Sequence, residues 1–289
     1  MVLMQAPRKR RMKKTTTDMR KRNLILLSLI FICAALSAQS DLLITPYRVV
    51  FEGNKRIEEV SLANTGQDTS RYSISFLQYR MNEDGSLNQI TEAEEGQYFA
   101  DRFLRFFPRS VTLAPGEAQV VRIQLRLPDT LPDAEYRSHL YFRSVPDDAP
   151  AAGTDQVDTA LGIRLIPVYG ITIPVIARKG TLEVSCAIAD IALLKQEELP
   201  HLGFTLLREG GKSTFGDIEI HHQDAEGNRH KIGEVRGIAV YTPGTRREVS
   251  IPLSLQAGVD YSRGQLHLTY TSAGTPNAEV YAESIVNLQ

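Results

Sequence analysis

Cysteine is nearly absent: Cys33 and Cys186 are the two in the whole chain. Cys33 falls inside an N-terminal segment that reads as removable, which would leave one thiol and no intrachain disulfide. A chain exported without disulfides needs cores large enough to stand alone, and 289 residues with 42% hydrophobic content supply them. Also missing are a Gly-x-Ser-x-Gly elbow, a phosphate loop and a dinucleotide glycine fingerprint, so the usual markers of hydrolases, NTPases and dehydrogenases are lacking. No enzymatic activity, cofactor or small-molecule substrate is expected. Basic charge is scarce beyond residue 22, because nine of the 33 Lys and Arg residues cluster before that point and only one acid, Asp18, lies with them. The rest of the chain is net acidic, which excludes the basic stripe of a nucleic-acid binder.

The N-terminus carries the three parts of a secretory signal. The basic residues Arg8 to Arg22 precede an apolar run from Leu24 to Leu36, and Ser37-Ala38-Gln39-Ser40 supplies the small-residue exit. At about 13 residues the run is shorter than the ~20 that cross a membrane. Cleavage near Gln39 to Asp41 is expected, with an uncleaved anchor as the rival. The basic region is long enough for translation to start at Met12 or Met19. Phe31-Ile32 before Cys33 argues against a lipoprotein site.

After this segment the helical period is missing and a period of two takes over. Tyr72, Ile74 and Phe76 alternate with Arg71, Ser73 and Ser75, and Val121, Ile123 and Leu125 alternate with Val120, Arg122, Gln124 and Arg126. Tyr136, Leu140 and Phe142 share one face, with Arg137, His139 and Arg143 on the other. Such alternation puts one face on a core and one toward water. Turn signals separate strands predicted over 42–51, 57–64, 71–80, 103–113, 118–126, 135–145 and 159–177, which fit one immunoglobulin-like sandwich. An acidic loop from Pro146 to Asp158 precedes the last of them. Arg178-Lys179-Gly180 reads as a linker. Beyond it, strands over 182–184, 203–207, 216–221, 247–253, 265–271 and 278–286 make a second, smaller sandwich. The organisation expected is therefore a signal peptide over 1–40, an N-terminal sandwich over 41–178 and a C-terminal one over 179–289: all-β, two immunoglobulin-like sandwiches in tandem.

The strand over 159–177 differs from the rest. It is nearly all apolar, yet Pro167 and Pro174 interrupt it, and proline favours an edge or a bend because it cannot donate to a ladder. Leu161, Ile163 and Leu165 alternate along it. Such an edge is a pairing template that monomeric proteins normally suppress, so it reads either as a docking strand or as a core strand switching sheets. The other chemical candidates are weak. His221 and His222 are neighbours on a strand and point to opposite faces, which disfavours a shared metal ion. Cys186 reads as a small core residue without an activating cation beside it in sequence.

Three pieces of sequence, in order, resemble the PapD-like periplasmic chaperones of pilus assembly. They are Ile44-Thr45-Pro46-Tyr47-Arg48-Val49-Val50-Phe51; then Phe107-Pro108 with Leu113-Ala114-Pro115-Gly116-Glu117-Ala118-Gln119-Val120-Val121-Arg122; then Leu131-Pro132-Asp133 with Glu135-Tyr136-Arg137. The resemblance covers 43–177; over 181–289 it is limited to a second β-domain in the expected place. It implies a non-enzymatic, periplasmic protein that caps pilus or fimbrial subunits by donor strand complementation, with an outer-membrane usher as a further partner and a place in cell-wall organisation. Physically this is strand addition, in which backbone bonds bind and alternating side chains fill the partner's open core. Leu161, Ile163 and Leu165 are then the donated side chains.

The resemblance also implies that an arginine on the first strand and a lysine on the last hold the subunit's terminal carboxylate. Arg48 matches the arginine; a surface arginine is the plainer reading. Alignment by Pro174 puts Tyr169 or Gly170 at the lysine, whereas alignment by apolar alternation puts Arg164 there. Arginine is not equivalent to lysine at such a site, since its fork has its own geometry. A structural or adhesive module with the same sandwiches and no strand donation is the alternative function.

Overall fold

The computed structural model describes residues 42–146, 168–194, 199–254, 259–274 and 278–288. All but one of its elements are strands, the exception being a 3-10 turn at Asp101–Phe103. The first sandwich has a sheet of β1 (Leu42–Thr45), β3 (Ile57–Asn64), β8 (Ala118–Leu125) and β6 (Leu104–Phe107), in the order β1-β3-β8-β6. Facing it is a sheet of β2 (Val49–Phe51), β10 (Gly170–Arg178), β9 (Glu135–Ser144), β4 (Ser70–Met81) and β5 (Leu87–Ile90), in the order β2-β10-β9-β4-β5, with β7 (Ser110–Leu113) also on β4. The second sandwich pairs β11 (Val184–Leu194), β12 (His201–Gly210) and β15 (Arg246–Pro252) in one sheet. Its other sheet runs β14 (Arg229–Val240), β13 (Thr214–Gln223), β16 (Gly264–Ser272), β17 (Val280–Leu288).

The alternating residues meet where the period of two directs them. Val60, Leu62, Tyr72, Ile74, Val121, Ile123, Leu140, Phe142, Ile173 and Val175 are buried in one core, and Leu202, Phe204, Ile218, Ile220, Leu266, Leu268 and Tyr270 in the other. Both domains are therefore immunoglobulin-like sandwiches and the chain is all-β.

Two predicted strands are each broken by a proline. The run over 42–51 divides at Pro46 into β1 and β2, which belong to different sheets, and 103–113 divides at Pro108 into β6 and β7, which do the same. A proline has no N–H to give a ladder, so each marks the place where the chain leaves one sheet for the other. The strand predicted over 182–184 extends instead as β11 to Leu194. A register shift between Ala189 and Ala192, with Asp190 at φ 52°, breaks its alternation and hides its length from a period-two reading. β14 goes unpredicted for the same reason, as its pairing with β13 slips twice. Cys186 is half-buried against the second core.

The sandwiches are joined through a buried carboxylate. Glu135, at the start of β9, is 3% exposed. Its Oε2 accepts from Arg178 Nε at 3.1 Å and from the Ser213 amide at 3.0 Å, and its Oε1 accepts from the Ser213 and Thr242 hydroxyls. Arg178 closes β10 of the first sandwich; Ser213 and Thr242 belong to the second. Ile176, Ala239 and Tyr241, with Val50, Met81 and Phe215 around them, form the apolar part of the same junction. Arg246 adds a rim ion pair to Glu83 at 3.2 Å.

Glu135→Ala takes the acceptor from the Arg178 Nε and from the buried Ser213 amide, leaving Arg178 only Glu52 and the Ser213 carbonyl. Loss of one partner from a buried pair costs about 3 kcal/mol or more, so urea unfolding of this variant is expected to show a loss of that size. Wild-type stability in Glu135→Ala would show that the junction is held by its apolar contacts alone.

Candidate functional site

β10 has two edges, and among the described residues only one is fully paired. Its antiparallel register with β9 runs from Gly170↔Arg143 to Arg178↔Glu135. At either end of that register, the Ser144 amide donates to the Tyr169 carbonyl at 2.8 Å and the Lys179 amide to the Ala134 carbonyl at 3.1 Å. Hydrogen-bonded positions recur every second residue in such a ladder. Tyr169, Ile171, Ile173, Val175 and Ala177 therefore bond to β9, and Gly170, Thr172, Pro174 and Ile176 turn their peptide groups the other way. β2 meets that second edge only at Val175–Ala177, in parallel. Among the described residues, nothing pairs with the edge at Gly170 and Thr172. Pro174, which has no N–H to offer, stands where the cover stops.

Side chains on this stretch also alternate. Ile171 and Ile173 pack into the first core, while Thr172 and Pro174 lie on the opposite face. A Cβ at Gly170 would run into the Tyr141 ring, which would have to move aside. Val168 and Tyr169, which lead into the strand, are exposed.

Arg48 immediately precedes β2. Extending the β2–β10 register by one residue sets it level with Pro174, where the uncovered edge begins. Its Nη1 donates to the Tyr241 hydroxyl at 3.3 Å, and its guanidinium lies 4.7 Å from the Phe215 ring centroid and 5.5 Å from that of Tyr241. A second cation shares the same tyrosine. Arg137 of β9 is 4% exposed, with its guanidinium 4.3 Å from the Tyr241 centroid. Its Nη2 reaches the carbonyls of Tyr79 and Thr242 at 3.3 Å each, whereas its Nε and Nη1 have no hydrogen-bond partner among the described residues. Burial holds the Arg137 pKa below its ordinary value; Tyr241 and Glu135 oppose this, and Arg48 adds to it.

His139, two residues along β9, is 2% exposed and neither ring nitrogen has a partner among the described residues. Its ring stands edge-on to Tyr79 at 4.9 Å and to Tyr241 at 6.2 Å. Burial pushes its pKa down to about 3, with the charges of Arg137 and Arg48 acting in the same direction.

Arg48 is thus placed beside a strand edge that no described residue covers, and within a cationic cluster. Leu161, Ile163, Arg164 and Leu165 lie outside the described residues, as does the rest of the predicted strand up to 167. No residue of β10 on the Thr172 and Pro174 face is basic before Arg178; the second cation near Arg48 comes from β9. The period of two assigns Arg137, His139 and Arg143 to a solvent face. Arg143 is exposed, but Arg137 and His139 are buried because the second sandwich covers their end of the sheet. The signal for this lay in β4, whose outer face changes from Ser73 and Ser75 to Leu77, Tyr79 and Met81. An apolar outer face means a second covered surface.

No protein-family model matches the chain, and no curated protein matches its sequence. Solved structures do match. The CupB2 chaperone of Pseudomonas aeruginosa is 15% identical with a TM-score of 0.42, over 86% of this chain and 100% of its own. The E. coli chaperone DraB is 14% identical with a TM-score of 0.41, over 86% and 96%. A chain from the complex of the Salmonella enterica SafA pilin with the SafB chaperone is 12% identical with a TM-score of 0.40, over 87% and 98%. The likeness is one of fold. At these identities no residue role passes from those proteins to this chain.

The His139 environment has a measurable consequence. The folded state keeps this ring neutral down to about pH 3, whereas an unfolded histidine takes up its proton near pH 6.5. Between those values the unfolded chain binds the extra proton, so stability falls as pH drops through the window, by up to a few kcal/mol from this group. His139→Phe is expected to flatten the decline between pH 6.5 and 4 in denaturant titrations; an unaltered slope would mean that the ring titrates normally in the folded chain.

Proposed function

We propose that the chain is a periplasmic chaperone of pilus-type subunits, exported by a cleaved signal peptide, that holds an incompletely folded partner by β-strand addition at β10. The observation that carries this reading is the uncovered edge at Gly170 and Thr172, which ends beside Arg48. A partner strand in line with β2 satisfies those peptide groups, as happens in edge-strand recognition generally. Its terminal carboxylate then comes within reach of Arg48, and a guanidinium binds a carboxylate through charge-assisted bonds. Leu161, Ile163 and Leu165, upstream in the sequence, supply apolar side chains to the partner's open core, with Arg164 between them. Pilus or fimbrial subunits are the partner class, and an outer-membrane usher is the natural recipient of the capped subunit.

Thr172→Pro tests the edge directly. It removes an N–H that faces away from β9, so the internal ladder survives while the partner loses a bond and meets a proline ring. Capture of a pilus subunit by the exported, tagged chain is expected to be lost with the fold intact. Arg48→Ala is expected to weaken capture by about 2–5 kcal/mol, the range for breaking a buried charge pair. Undiminished capture by Thr172→Pro favours the alternative, a structural or adhesive module whose partner contacts lie elsewhere.

A further inference from the structure

The cationic cluster beside β10 is closed by a side chain of the second sandwich. Tyr241 follows β14 directly and opens the loop leading to β15. Its ring stands against both Arg137 and Arg48, at 4.3 and 5.5 Å from their guanidiniums, and its hydroxyl accepts from Arg48. Two like charges thus converge on a neutral ring. The carboxylate that acts on Arg137, that of Glu135, is already bound by Arg178 and Ser213. Two donor groups of Arg137 find no partner among the described residues at 4% exposure, an arrangement that costs stability unless something occupies it.

We propose that Tyr241 is a displaceable stopper over a carboxylate site in which Arg137 acts together with Arg48. The occupant rests on the chaperone reading above only for its identity as a chain terminus; a small free carboxylate has the same chemistry and fits the same donors. A phenol gives Arg48 one neutral acceptor and gives Arg137 a π face. A carboxylate gives both two charged oxygens, which hydrogen-bond to guanidinium more strongly. A cavity of about 350 Å³ lined by Met81, Tyr241, Thr242 and Arg246 borders the ring and leaves space for it to move aside. Because Tyr241 also belongs to the apolar contact between the sandwiches with Ile176 and Ala239, occupation of the site loosens that contact. Anion binding and the junction are thereby coupled.

The test is an NMR titration of the full exported chain with sodium acetate against sodium chloride at equal ionic strength, read on the Tyr241 ring resonances and on backbone amides of β9. Acetate is expected to bind saturably where chloride does not. Arg137→Leu is expected to weaken acetate binding at least about tenfold while its melting temperature stays level or rises, since replacing an unpaired buried charge by an apolar side chain is neutral or stabilising. A purely structural role for Arg137 would not separate the two readouts in that way. Tyr241→Leu is expected to tighten acetate binding about tenfold, and Tyr241→Phe, which keeps the ring and loses the hydroxyl, by a smaller factor. Acetate affinity unchanged in Arg137→Leu, or unchanged in both Tyr241 variants, overturns the proposal. A short apolar peptide with a free C-terminus distinguishes the sources of carboxylate: competition with acetate by the acid and not by its C-terminal amide supports a chain terminus as the occupant. Acetate binding that depends on Arg137 in a chain that captures no subunit keeps this site and removes the chaperone reading. Subunit capture without any acetate binding does the reverse.

Discussion

Every second residue of β10 turns its peptide groups away from β9, and β2 is too short to meet them all. A peptide N–H or C=O in a strand has to find a partner in a neighbouring strand or in water. At Val175–Ala177 the partner is β2; at Gly170 and Thr172 the described structure supplies none. Natural sheets usually blunt such an edge with charge, a bulge or a covering loop. Pro174 marks where the cover ends, and Ile171 and Ile173 keep the strand anchored in the core from its other face. The strand is thus paired and packed on one side, while on the other no described residue meets Gly170 and Thr172.

The second sandwich matters to this edge because of what it buries. Glu135, Arg178, Ser213 and Thr242 tie the two domains together, and the same contact drives Arg137 and His139 out of water. His139 answers by remaining neutral. Arg137 stays charged and shares a tyrosine with Arg48. Positive charge gathered at low exposure is a costly arrangement for stability, and the partner proposed above brings both a strand and an anion to it. Junction, cation pair and strand edge are neighbours in the described structure.

Much of the fold was legible because its strands obey a simple period. β3 and β8 lie where the alternation of Val60, Leu62, Val121 and Ile123 puts them, and the two-sandwich architecture follows from the spacing of such runs. Legibility failed where geometry departs from that period. Pro46 and Pro108 each hand the chain from one sheet to the other, the bulge at Asp190 conceals half of β11, and the slips between β13 and β14 conceal a whole strand. Arg48 was readable from its place in the string before Phe51. Arg137 and His139 were not, because a period of two says which residues share a face but not whether a second domain covers it. The apolar turn of β4 at Leu77, Tyr79 and Met81 was the clue to that cover.

Hydrogen exchange at single-amide resolution along β10 is the most direct measurement of the central claim. In the free chain, the Gly170 and Thr172 amides should exchange fast and those of Ile171 and Ile173 slowly, reflecting one open and one paired edge. On adding a pilus subunit, Gly170 and Thr172 should become as protected as their neighbours. Slow exchange at Thr172 in the free chain, or exchange there that a bound subunit leaves unchanged, would contradict an edge kept open for a partner strand.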